Sequence, residues 1–259
     1  MNGKISFIVF ILVALALGTT MLGQANATAD LDKSIYDIML KKYVSDGTVD
    51  YLKWKRNDLV AFEQYITSLA HVSLTNLSKN EQKAFWINTY NALTIYAVLR
   101  HIPANGLLAK VFSVQMIPGF FDKITYTVAG ETLTLNDIEN KKLRAVFHDP
   151  RIHFALVCAS RSCPKIQSDA FAAKGIDKWL DNAARNFIQD KSRNRLDQKN
   201  AVLYLSEIFK WYDSDFIESA GSVLNYIKNY AGKEDSVCLS THEVKIKHLF
   251  YDWLVNIKR

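Results

Sequence analysis

Residues 78–102, SKNEQKAFWINTYNALTIYAVLRHI, decide the fold. The stretch opens with Ser78-Lys79-Asn80-Glu81, a capping box in which the Ser78 and Glu81 side chains satisfy free backbone N–H groups at a helix start. Pro103 closes it, because proline cannot continue the hydrogen-bond ladder. From Phe85 to Leu99 apolar residues cover most of the circumference, so the spacing predicts a buried central helix with the rest of the chain packed around it. Asn88 and Asn91 lie three apart and share a face of that helix. A buried amide must find partners; the pair either ties the helix to neighbouring loops or contacts a substrate.

Working outward, Ile35, Met39 and Tyr43 recur every four positions and predict an amphipathic helix over Leu31–Tyr43, followed by a turn at Asp46-Gly47. Leu59, Phe62, Ile66 and Leu69 predict a second helix. Downstream, ITYTVAGETLTL (124–135) alternates on either side of Ala129-Gly130, a hairpin signal. A helix is expected from Asn136 to Val146, where Asn136 and Glu139 have cap-and-N3 spacing, so Glu139 is either a capping partner or a catalytic residue. After His148-Asp149-Pro150 the run RIHFALVC alternates as a strand. Helices over Ile176–Ile188 and Phe216–Tyr230, the latter with Gly232 just beyond it, and strands at Val202–Leu205, Val244–Ile246 and Phe250–Val255 complete the reading. There is no internal repeat. The expected class is α+β: a single mainly helical domain, residues 28–259, with a small antiparallel sheet.

Residues 1–27 read as a secretory signal: Lys4, the apolar run ISFIVFILVALAL, then Ala25-Asn26-Ala27 in the A-x-A cleavage pattern. An uncleaved anchor helix over Ile5–Leu22 competes, although it is short of the roughly 20 residues that span a bilayer. Cleavage near Ala27 is preferred, which makes the protein periplasmic or secreted, with a membrane contact only if the segment stays on. The formal net charge is +6, with bases scattered among acids rather than gathered into a stripe, so nucleic acid is not an expected partner.

HFALVCASRSCP, residues 153–164, carries His153, Cys158 and Cys163, and the third cysteine is Cys238. Three readings compete. A Cys158–Cys163 disulfide needs only an oxidising compartment and a turn that brings the Cα atoms within roughly 4.4–6.8 Å. A thiol nucleophile needs His153 as base, with Glu139 or an asparagine orienting the ring and Arg161 favouring the thiolate; on a continuous strand His153 and Cys158, five apart, would face opposite ways, so the strand must end or bulge before the cysteine. Zinc is the weakest reading, because neither C-x-x-C nor H-x-x-x-H spacing is present. Arg144 and Arg151 suit a substrate carboxylate or ordinary salt bridges.

FWINTYNALTIYAVL, NDIENKKLR, DPRIHFALVCASRSCP, SRNRLD, LSEIFKWYDSDF and YDWLVN together resemble the family catalogued as domain of unknown function 547, from Leu31 to Asn256. The resemblance implies motif positions at Asn88, Tyr90, Asn91, Glu139, Arg144, His153, Cys158, Ser160 and Cys163, and a distant similarity to papain- and transglutaminase-like folds. It does not carry an activity with it. Two departures stand out: Asn140 replaces the histidine of the family's I-E-H, and Asp252-Trp253-Leu254-Val255-Asn256 replaces D-W-S-L-N. The expected function is a thiol-dependent hydrolase or acyl transferase of the cell envelope acting on a small molecule or peptide, without cofactor or metal. Cys158 or Cys163 is its nucleophile, His153 its base and Glu139 the orienter, with Asn88, Tyr90, Asn91, Arg144 and Ser160 as substrate contacts. The alternative is a non-catalytic envelope binding module with a structural Cys158–Cys163 bridge.

Overall fold

The computed structural model describes residues 35–258; the expected signal segment, residues 1–27 with its cleavage site, lies outside them. Helix α1 (residues 35–43) leads into the two-residue strands β1 (Val44–Ser45) and β2 (Thr48–Val49), then α2 (Tyr51–Asn57) and α3 (Leu59–Ser68). The central helix α4 (Lys79–His101) starts at the capping box: Glu81 N donates to Ser78 Oγ at 3.3 Å and Ser78 N to Glu81 Oε2 at 2.7 Å. Around it Tyr36, Tyr43, Trp54 and Phe62 are buried in a chain of ring contacts, with Tyr43–Trp54 centroids at 5.0 Å and Trp54–Phe62 at 4.8 Å. Each such side chain contributes about 1.5–3 kcal/mol through burial, so the aromatic wedge anchors the N-terminal helices to α4.

After the short α5 (Gly106–Lys110), strands β3 (Tyr126–Val128) and β4 (Glu131–Leu133) form the expected hairpin in antiparallel register. Ala129 and Gly130 both have positive φ, 49° and 79°, as a two-residue turn matching strand twist requires. The next helix begins earlier than its sequence spacing suggests. Thr134, not Asn136, is the cap: its Oγ1 accepts from Asp137 N at 3.1 Å while Thr134 N donates to the Asp137 carboxylate at 3.0 Å. Helix α6 (Leu135–Asp137) then widens into a π-helical stretch, Ile138–Arg144, and closes as α7 (Ala145–Phe147). Glu139 is therefore released from capping and buried on the inner face.

The expected strand at 151–158 is absent. Pro150–Phe154 is a 3-10 helix, begun by proline at its first turn and by Asp149 Oδ1 accepting from Arg151 N at 3.2 Å. Helix α8 (Ile176–Gln189) follows as expected. Strands β5 (Arg195–Asp197), β6 (Val202–Leu205) and β7 (Lys245–His248) form a small sheet in which β5–β6 is antiparallel and β6–β7 parallel, so the sheet is mixed rather than wholly antiparallel. Between β6 and β7 lie α9 (Ile208–Trp211), α10 (Asp213–Ala220), α11 (Val223–Tyr230) and α12 (Lys233–Thr241). The single helix expected over 216–230 is split at Gly221, which takes φ 76°, and at Ser222, whose hydroxyl caps α11 through Asn225 N. Beyond β7 the chain is extended, bridging singly at Ser113–Leu254 and Ser160–Val255, so Phe250–Val255 is a tie across the fold and not a strand of the sheet.

Among the described residues no helix is long and apolar enough to cross a membrane. The architecture is α+β with small sheets. One apolar cluster surrounds α4 and a second is built from α8 to α12. Cys158 and Trp253 are partly buried against both, so the seam between the two clusters is where the sulfur lies.

Candidate functional site

The two asparagines of α4 hold the loops of this seam. Asn91, 3% exposed, donates from Nδ2 to Ala155 O and accepts at Oδ1 from Val157 N, both at 2.9 Å. Asn88 makes the same pair of bonds with Phe171 O and Phe171 N, each at 2.9 Å. Both amides thus bond to backbone and tie the helix to its loops, and neither lines the cavity that holds Cys158. By clamping residues 155–157, Asn91 sets the path from the end of the 3-10 helix to Cys158.

Cys158 lies partly exposed in a cavity of about 230 Å³. Its Sγ is 3.0 Å from Ser160 Oγ and 3.1 Å from the Tyr251 hydroxyl, and its own N–H donates to Cys163 Sγ at 2.8 Å. Ala159, at φ 59°, turns the chain so that Ser160 folds back onto the sulfur. The expected bridge is not formed: Cys158, Cys163 and Cys238 are free thiols, and 158 and 163 interact by hydrogen bonding instead. Burial opposes ionisation of Cys158, but hydrogen bonds from Cys163, Ser160 and Tyr251 outweigh it and hold this thiol below the ordinary thiol value. Burial pushes Cys163, 4% exposed, the other way, and the neighbouring Cys158 sulfur adds to the rise. Of the pair, Cys158 is the sulfur whose thiol is held low and also the more exposed of the two.

His153 enters the cavity from the 3-10 helix and is 4% exposed. Its Nε2 meets Asp215 Oδ2 at 2.8 Å, its Nδ1 faces Glu139 Oε1 at 3.8 Å, and the ring stacks on Tyr212 at 3.9 Å between centroids. Both ring nitrogens are therefore aimed at carboxylates, while the Cys158 sulfur takes its hydrogen bonds from hydroxyls and the second thiol; a direct cysteine–histidine dyad is not what ionises it. The opposite-faces constraint also lapses, since no strand joins the two residues.

Asp215 carries the other half of the arrangement. Arg144 donates to it through Nε at 2.8 Å and Nη2 at 2.7 Å. That bidentate bond, opposed by burial and reinforced by His153, holds the Asp215 carboxyl well below the usual carboxylate range. Arg144 is thus fully engaged, also donating to Asn140 Oδ1 at 2.6 Å; it does not line the cavity. Asn140 is exposed and outside the lining. Arg151 binds Asp149, Asp177 and Asp181, and Arg161 pairs with Asp252 at 3.6 Å rather than with either sulfur.

The structure brings Tyr90, Glu139, His153, Cys158 and Cys163 to one cavity, with Ser160 against the Cys158 sulfur. Asn88, Asn91 and Arg144 support it from outside. Trp211, Tyr212, Asp215, Tyr251 and Trp253 have no role in the sequence-based site, yet they complete it. Their only signal in the sequence is membership in LSEIFKWYDSDF and YDWLVN, whose aromatic and acidic character does not itself name a partner 62 residues away, the separation of His153 and Asp215. Among the described residues no group of three or more His, Cys, Asp or Glu side chains is arranged to hold a metal ion.

Residues 74–188 match the family model described as "Protein of unknown function, DUF547". The match runs from before α4 to the end of α8 and stops short of the aromatic and acidic residues supplied by α9, α10 and the C-terminal segment. No curated protein and no solved structure matches the chain.

Proposed function

Taking residues 74–188 as a DUF547 domain, we propose that the cavity is a thiol-dependent acyl-transfer centre, a hydrolase or acyl transferase, with Cys158 as nucleophile. One observation carries this reading: a sulfur open to the cavity, with hydroxyl partners at 3.0 and 3.1 Å and a buried second thiol beside it, so that its anion is favoured. The anion attacks the carbonyl carbon of an ester, thioester or amide. The C–S bond forms, the bond to the leaving group breaks, and the leaving group takes a proton from the enzyme.

His153 is the group assigned to that proton transfer. It is held in one orientation by Asp215 and Tyr212, and its second nitrogen points toward Glu139 in the cavity. The same imidazole then accepts a proton from water, or from another acceptor, as the thioester is released. Cys163 is not assigned as the nucleophile, because it is buried and burial pushes its thiol up. The location proposed for this chemistry is the cell envelope, supported by the signal-like segment 1–27; export with a mature N-terminus at Thr28 is the result that agrees with it.

The test is p-nitrophenyl acetate. A burst of p-nitrophenolate stoichiometric with the chain, and an acetyl group on the peptide containing Cys158, are expected. Cys158→Ser should lose both and Cys163→Ser should keep them. A burst that survives Cys158→Ser contradicts the proposal.

A further inference from the structure

The cavity wall is electrostatically one-sided. Besides the thiols and His153 it presents a single carboxylate, Glu139, six aromatic rings, and no lysine or arginine. Glu139 is 6% exposed. A buried carboxyl needs hydrogen-bond donors or a positive group beside it. The Tyr212 hydroxyl bonds to it. The one basic group facing it at ion-pair distance among the described residues is His153 Nδ1, at 3.8 Å, longer than a hydrogen bond. The other nitrogen of that ring bonds to Asp215, and so does the guanidinium of Arg144, which reaches Glu139 only through a longer-range attraction and stays outside the cavity wall.

The aromatic residues point to the same kind of guest. Trp211, Tyr251 and Trp253 form one cluster with centroids 4.6–5.5 Å apart, and Phe121 meets Trp253 at 6.3 Å. The faces of such rings attract cations, most strongly where water is excluded. The Cys158 sulfur, whose anion its hydrogen-bond donors favour, faces the same enclosure. An anionic guest would meet the Glu139 carboxyl and the Cys158 sulfur with no lysine or arginine in the cavity wall to offset them.

We infer that the cavity binds its substrate through an ammonium group, a primary amine in its protonated form such as a lysine side chain or an alkylamine, held by Glu139 and the aromatic wall. This deepens the proposed function by naming a substrate class; its catalytic meaning rests on Cys158 being the nucleophile, whereas the binding itself does not.

The experiment uses the full chain at about pH 7, where a primary amine stays protonated, and constant ionic strength, with n-butylammonium, 1-butanol and butyrate as probes. The rate of Cys158 alkylation by iodoacetamide is followed by peptide mass spectrometry, and butylammonium binding is titrated by calorimetry. Butylammonium should protect Cys158 saturably, with a half-protecting concentration at least about five-fold lower than that of 1-butanol, the scale of one cation–π contact. Butyrate should not protect. Glu139→Gln should shrink the difference between amine and alcohol, leaving only what the aromatic wall supplies. Equal protection by amine and alcohol, stronger protection by butyrate, or an undiminished amine preference in folded Glu139→Gln overturns the inference. The comparison of probes on the unmodified chain stands even if that variant does not fold. If iodoacetamide does not reach Cys158 at all, the nucleophile reading falls on its own, and the calorimetric comparison of butylammonium with 1-butanol still decides whether the cavity selects a cation.

Discussion

Replacing Asn91 by alanine isolates the clamp that positions the sulfur. The amide makes two bonds at 2.9 Å, to Ala155 O and from Val157 N, and is 3% exposed. Alanine leaves one carbonyl and one N–H without their partner where water has little access. At about 1–3 kcal/mol for each buried group left unsatisfied, the loss is about 2–4 kcal/mol once partial relaxation is allowed. For a domain of this size that lowers Tm by about 4–16 °C. Asn88→Ala breaks the same number of bonds, at 2.9 Å each, but Asn88 is only half-buried, so water can replace the lost partners and the loss should be clearly smaller. Urea unfolding of the two variants beside the parent measures both. Equal losses, or a loss below about 1 kcal/mol for Asn91→Ala, would refute the idea that buried amide pairing, rather than helix propensity, holds the 155–157 loop.

Other consequences can be measured in the same protein. Because hydrogen-bond donors hold the Cys158 thiol low, its iodoacetamide rate should rise with pH through a midpoint below the ordinary value of about 8.5. Tyr251→Phe and Ser160→Ala should each move that midpoint upward; an unchanged midpoint in both would exclude hydroxyl donation as the cause. Asp215 titrates lower in the folded chain than in the unfolded one, so the stability it confers is complete above the unfolded value of about 4 and fades as pH falls through the lower folded value. Asp215→Asn should therefore destabilise at neutral pH and flatten the acid limb of a stability–pH curve, and a parallel, uniformly lowered curve would contradict this. Thr134→Ala removes a helix cap and should cost about 1 kcal/mol by urea unfolding, whereas Asn136→Ala, two residues inside the true cap, should cost less.

Much of the scaffold is legible because its signals are local. The Ser78–Glu81 box, the all-round apolar pattern of α4 and the Ala129-Gly130 turn each lie within a few residues, and each has the structure its pattern predicts. Where the structure departs from the pattern, a competing local signal wins. The period-two alternation of 151–158 hides a 3-10 helix announced by Asp149 and Pro150. Gly221-Ser222 spells a helix stop and a new cap inside 216–230. Cap spacing at Asn136 and Glu139 is matched two residues earlier by Thr134 and Asp137, and the earlier pair wins because it directly follows the hairpin. The site is half legible. Glu139, His153, Cys158 and Cys163 stand out by their chemistry and do share a cavity. Asp215 and Tyr251 do not, since their partners are brought to them only by the packing of α10 and the C-terminal tie.

Competitive labelling of the native chain with substoichiometric iodoacetamide near neutral pH, followed by peptide mapping without reductant, bears most directly on Cys158 as the reactive group. Label concentrated on Cys158, with Cys163 unmodified yet recovered as a free thiol after unfolding, is the predicted result. Recovery of Cys158 and Cys163 as a disulfide-linked peptide, or label confined to Cys238, would contradict it.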